Sequence, residues 1–179
     1  MAKKRPSYQK KIVVAVSGGF DPVHEGHVRM FQEARALGDV LVVILNNDNW
    51  LRKKKGYVFL PQRERKAIIE SIRHVDRVFL TKHPRNPSDM SVCRELAALR
   101  PDIFANGGDR TRKNIPEVPL CKKIGCRMIF NIGFGGKIQS SSWLVQKCMQ
   151  VLPCHCGAIQ ADGTSVQYKH CHGKYALPS

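Results

Sequence analysis

The sequence predicts an α/β protein with a doubly wound, mostly parallel five-stranded sheet. Two observations carry this. Short runs of β-branched and aliphatic residues alternate with segments of helical spacing from residue 11 to about 151. The strand-like runs also end in Gly-, Asn- or Asp-rich turns, which such a sheet gathers at one edge, where α/β sheets bind their ligands.

The elements follow in order. Lys11 to Ser17 reads as a buried strand running into the tight turn Gly18-Gly19. Gly26 to Leu37 carries Val28, Met30, Phe31, Ala34 and Leu37 on one helical face, with Gly38 as its stop. Val40 to Leu45 is a second buried strand, ended by Asn46-Asn47-Asp48. Leu51 to Tyr57, with Arg52, Lys53, Lys54, Lys55 and Gly56, reads as a mobile basic loop. Pro61 to Ile72 is a helix with proline in its first turn. Arg77 to Leu80 is a third strand, Ser88 to Leu99 a helix capped by Ser88, and Asp102 to Ala105 a fourth strand ending at Asn106 to Asp109. Val118 to Ile124 is a short helix and Arg127 to Phe130 a fifth strand. Ser140, Ser141 and Ser142 cap a last helix from Trp143 to Val151.

Residues 1–10 form a basic arm, 11–151 the domain, and 152–179 a separate segment. In that last segment Cys154, His155, Cys156, His170, Cys171 and His172 surround a hairpin signal at Asp162-Gly163. Thiolate with imidazole suits a closed tetrahedral Zn²⁺ site, and a structural zinc would explain how so small a hairpin folds. Cys154, Cys156, Cys171 and one of His170 or His172 are the expected ligands. Seven cysteines in all, an odd number, argue against a disulfide framework.

Thirty Lys and Arg against 14 Asp and Glu give a net charge of +16. That field favours anionic partners without choosing between nucleotides, sugar phosphates and nucleic acid. Aromatic residues at 7% supply no dense aromatic-basic stripe, so nucleic acid is not the favoured partner. No apolar run approaches the ~18 residues of a membrane span, and a cytoplasmic protein is the expectation.

His24 and His27 flank Glu25-Gly26 at the start of a helix, directly after a strand and a Gly-Gly turn. Their i, i+3 spacing places both rings near one face. The helix start adds free N–H groups and positive partial charge, an anion site by construction. Gly26 leaves room for close approach of a ligand.

The segment Gly18 to His27 resembles the H-x-G-H signature of the cytidylyltransferase-like nucleotidyltransferases. Leu37 to Val43 with Asn47-Asp48, Arg65 to Ile72 with Val75-Asp76, Arg100-Pro101-Asp102 leading to Gly107-Gly108-Asp109, and Gln139 to Ser142 resemble further segments of that family in the right order. Within it the pattern is most similar to glycerol-3-phosphate cytidylyltransferases and to the adenylyltransferase domain of ADP-heptose synthesis. Gln139 and Ser142 depart from the usual Ile and Thr, and Lys137 stands where the first group has an arginine.

The resemblance implies transfer of a nucleoside monophosphate, with CMP favoured over AMP, from a nucleoside triphosphate to a phosphorylated small molecule. It implies His24, His27 and Lys55 as catalytic groups, with the basic loop closing over the phosphates. It implies Gly18, Gly19, Phe20, Asp21, Gly26, Asn106, Gly108, Asp109, Ser140, Ser141 and Ser142 as the nucleotide site. Arg65, Lys53 and Lys137 would meet the acceptor phosphate. Mg²⁺ would accompany CTP or ATP, and a homodimer is expected. Two readings from other classes stay open: a nucleic-acid-associated protein with a zinc-bound hairpin, and a nucleotide sensor without activity.

Overall fold

The computed structural model describes residues 10–107, 110, 115–133 and 140–151. The expected zinc ligands Cys154, Cys156, Cys171 and His172, with Gly108, Asp109 and Lys137, lie outside the described residues. The five expected strands are present: β1 (Val13–Gly18), β2 (Val40–Leu45), β3 (Arg77–Leu80), β4 (Ile103–Gly107) and β5 (Arg127–Ile132). They are parallel, in the order β3-β2-β1-β4-β5. The chain therefore reverses its direction of travel across the sheet between β1 and β4, which opens a crevice beyond their carboxyl ends.

Helices cover both faces. α1 (Glu25–Arg35) and α3 (Gln62–Glu70) place Phe31, Ala34 and Ile69 against Val14, Val16, Leu41 and Val43. α4 (Cys93–Leu99) and α5 (Val118–Ile124) place Leu96 and Cys121 against Ala15, Ile44 and Phe104. Burial on both faces explains why the central strands read as unbroken apolar runs. Each fully buried Phe or Leu contributes about 1.5–3 kcal/mol.

One device recurs at the edge of the sheet opposite the crevice. Asp39, Asp76 and Asp102 each precede a strand. Their carboxylates accept from Ile12 N (2.7 Å), Leu41 N (2.7 Å) and Val13 N (2.9 Å) at the start of the neighbouring strand. These charge-assisted bonds pin strand register where the ladder begins.

Two local expectations are corrected. The basic stretch is no mobile loop: Asp48–Lys55 is helix α2. Asn47 caps it by accepting from Trp50 N at 3.0 Å, Leu51 anchors it at 0% exposure, and Gly56 ends it in the left-handed region (φ 80°). Ser88 is not a helix cap either. The Asp89 carboxylate accepts from Ser91 N at 2.8 Å, a local turn that defers the start of α4 to Cys93. The last helix, α6, spans Ser141–Val151.

Candidate active site

The crevice is a cleft of about 260 Å³. Its floor comes from the ends of β1 (Ser17 to Phe20) and β4 (Asn106, Gly107), with Arg110 just beyond β4. The start of α1 adds His24, Gly26, His27 and Met30, and α2 adds Lys55. Ile132 and Gly133 follow from β5, and Ser140 to Ser142 form the start of α6. Two helices of 11 residues each thus begin at the cleft wall. Each presents its first-turn N–H groups and positive partial charge there.

The two histidines stack, with ring centroids 3.7 Å apart and planes 21° apart. His27 Nδ1 accepts from the His24 backbone N–H at 3.3 Å, so the neutral ring carries its proton on Nε2 as a donor. The edge of Phe20 meets His27 at 4.9 Å and Phe31 at 5.1 Å, fixing the ring from behind. A Cβ on Gly18 would stand 2.7 Å from Phe20 Cζ, so only glycine leaves that ring where it is. Among the described residues Nδ1 of His24 is buried and has no close hydrogen-bond partner.

Burial, then the His24 ring and Lys55, push the His27 pKa down to about 3. Burial and Lys55 also lower that of His24. Burial lowers Lys55 as well, opposed by Asp21 and reinforced by Arg65, while its Nζ donates to Asp21 O at 3.1 Å. A stability profile follows. Between pH 6.5 and about 3 the unfolded chain protonates this histidine and the folded chain does not. Stability is therefore lost as pH falls through that window and flat above it. Denaturant titrations across the window should show a shallower fall for His27→Asn than for the wild type.

The structure brings Gly18, Gly19, Phe20, His24, Gly26, His27, Lys55, Asn106 and the three serines into one cleft. Ser141 also ties it shut from one side, its Oγ donating to Pro22 O at 2.9 Å.

Two assignments change. Arg65 is 0% exposed. Its guanidinium donates to Gly19 O (2.6 Å), Asn46 O (2.8 Å), Leu60 O (2.9 Å) and Asp48 Oδ1 (2.7 Å). It is a clamp beneath the turn and meets no acceptor phosphate. Asp21 is equally buried, its carboxylate accepting from Phe59 N (2.8 Å) and Leu60 N (2.7 Å). Each oxygen accepts one backbone N–H, so the carboxylate supports the turn from beneath. Lys53 lies outside the cleft, donating to Asn86 Oδ1 at 2.8 Å. The sequence reading missed Arg110, which lines the cleft 3.5 Å from Ser17 Oγ. Its position just after the β4 turn was the available signal.

Comparison with known proteins gives a consistent picture. A family model described as Cytidylyltransferase-like matches residues 15–132. Bifunctional protein HldE of Streptomyces coelicolor is 38% identical over 115 residues, covering 63% of this chain and 24% of that protein. The chain thus spans about a quarter of that relative's length. FAD synthase of Pyrococcus horikoshii is 37% identical over 102 residues, 56% of this chain and 66% of that protein. Among solved structures, a lipopolysaccharide core biosynthesis protein from Thermoplasma volcanium superposes with a TM-score of 0.58 at 27% identity, covering 70% of this chain and 99% of that one.

Proposed function

The chain belongs to the cytidylyltransferase-like family, and from that premise we propose that its cleft transfers a nucleoside monophosphate from a nucleoside triphosphate to a phosphorylated small molecule. The observation that carries this is the stacked His24–His27 pair at the start of α1, facing a cleft shared with Lys55 and the start of α6.

An oxygen of the acceptor phosphate attacks the α-phosphorus. The bond from that phosphorus to the β-bridging oxygen breaks, and pyrophosphate leaves with the electron pair. The nucleophile is already an anion, so catalysis rests on positioning and on charge stabilisation. Neutral His27 donates from Nε2 to a phosphate oxygen, and His24 lies beside it. Lys55 meets the charge that develops on the departing pyrophosphate, and the start of α6 with Ser140 to Ser142 receives its outer phosphate. With Arg65 occupied inside the protein, Arg110 is the cation on the β4 side for the acceptor phosphate. Among the described residues no carboxylate lines the cleft, so Mg²⁺ would be held by triphosphate oxygens, serine hydroxyls and water, and would supply charge neutralisation.

The sequence pattern favours CTP. The relatives shift the weight to ATP, because FAD carries an adenylyl group and one relative is named FAD synthase. We therefore favour adenylyl transfer and keep cytidylyl transfer as the second reading. Thermal-shift titration of the full chain with ATP, CTP, GTP and UTP in Mg²⁺ should stabilise it most with ATP. A ligand at a hundred times its Kd adds about 2.7 kcal/mol. The largest shift with CTP selects the second reading, and no shift with any of the four contradicts both.

A further inference from the structure

The cleft leaves part of α2's positive charge unused. Arg52 and Lys53 line a second groove, of about 280 Å³, together with Asn49, Arg85 and Asn86. Three cations meet there and, among the described residues, no acidic side chain lines it. Some surface cations elsewhere have carboxylate partners: Lys10 with Asp102, Arg29 with Glu25, Arg35 with Asp76 and Lys66 with Glu70. Among the described residues Arg52, Lys53 and Arg85 form no such pair. Like charges gathered in a concavity repel one another unless an anion joins them.

The walls of the groove are tied together. Asn47 and Asn49 both donate to His83 O, at 2.8 and 3.0 Å, and Trp50 Nε1 donates to Met90 O at 2.8 Å. These bonds fasten the segment after β3 to α2. The Lys53 ammonium holds Asn86 Oδ1, which orients the amide and leaves its Nδ2 as a donor. Asn86 itself sits in the left-handed region (φ 52°), which asparagine tolerates better than most residues. The result is two guanidinium forks, one ammonium and one amide donor around one space.

We propose that this groove is a second anion site, taking a phosphate ester separate from the transfer cleft. Planar guanidinium donors match phosphate oxygens in pairs, which a diffuse positive surface does not reproduce. Among the described residues the groove shares no lining residue with the cleft, so the proposal stands whether or not the transfer reading does. The phosphate would come from a small phosphorylated metabolite or from a polynucleotide backbone; the chemistry is common to both.

The test is side-chain amide and guanidinium NMR on the full chain at fixed ionic strength, with inorganic phosphate and with a short single-stranded oligothymidylate as probes. Both probes should give saturable shifts at Arg52, Arg85 and Asn86. Affinity should weaken about tenfold or more in R52A/R85A and in the charge-conserving R52K/R85K. The backbone amide spectrum of each variant reports whether it folds. Saturation by the oligothymidylate at much lower phosphate concentration assigns a polynucleotide; equal or weaker binding assigns a small phosphate. Non-saturating drift, or R52K/R85K binding as tightly as the wild type, overturns the site.

Discussion

Replacing His27 with alanine should lower turnover by about 10²–10³-fold, the usual effect of removing one donor from a charge-stabilising site. Its Nδ1 is held by the His24 backbone N–H, leaving Nε2–H for a phosphate oxygen. Burial keeps the ring uncharged at neutral pH, so in the proposed reaction it would act as a neutral donor and not as a cation. The sign of the pH dependence follows: kcat/KM should stay level as pH rises past 6.5, where an unperturbed imidazolium would lose its proton. His27 also packs on Phe20, so Tm is measured beside turnover to separate lost chemistry from lost packing. His27→Gln, which keeps an N–H donor, should recover part of the rate. Near-normal pyrophosphate release by both His27→Ala and His24→Ala would remove the pair from the mechanism.

The second large effect is on stability. Arg65→Ala should cost about 3–5 kcal/mol, the range for breaking a buried charged pair. The substitution leaves the Asp48 carboxylate without its cation and three carbonyl oxygens, of Gly19, Asn46 and Leu60, without this donor. Against a total of about 5–15 kcal/mol for an ordinary domain, that is a large share. Arg65→Lys should also destabilise, because one ammonium cannot reach four acceptors spread over a planar fork. Denaturant unfolding reads both variants. If Arg65 instead bound substrate, Arg65→Lys would keep its unfolding midpoint and raise the acceptor KM.

The strands were legible because a parallel sheet buried on both faces demands apolar, β-branched runs, and such runs at Val13 to Val16 and Val40 to Leu45 have little other use. The position of the histidine pair at the cleft was legible for a related reason. His24 and His27 follow a strand and a Gly-Gly turn, so their place in an α/β sheet is fixed once the strand is. α2 was hidden because its charge run describes only its exposed side, while Asn47 and Leu51, two single residues, decide the helix. The clamp role of Arg65 was hidden for a deeper reason. A charged residue near a phosphate motif suits a ligand and a buried clamp equally. What separates the two is the convergence of Gly19, Asn46 and Leu60, three segments far apart in sequence, on one guanidinium. No local pattern encodes that meeting.

The central claim is that the cleft between β1 and β4 is a triphosphate site. A crystal structure with a non-hydrolysable ATP analogue tests it most directly. The account predicts the α-phosphate beside His24 and His27, with the outer phosphates at Lys55 and the start of α6. A nucleotide bound elsewhere, with the two histidines free of phosphate, would contradict it.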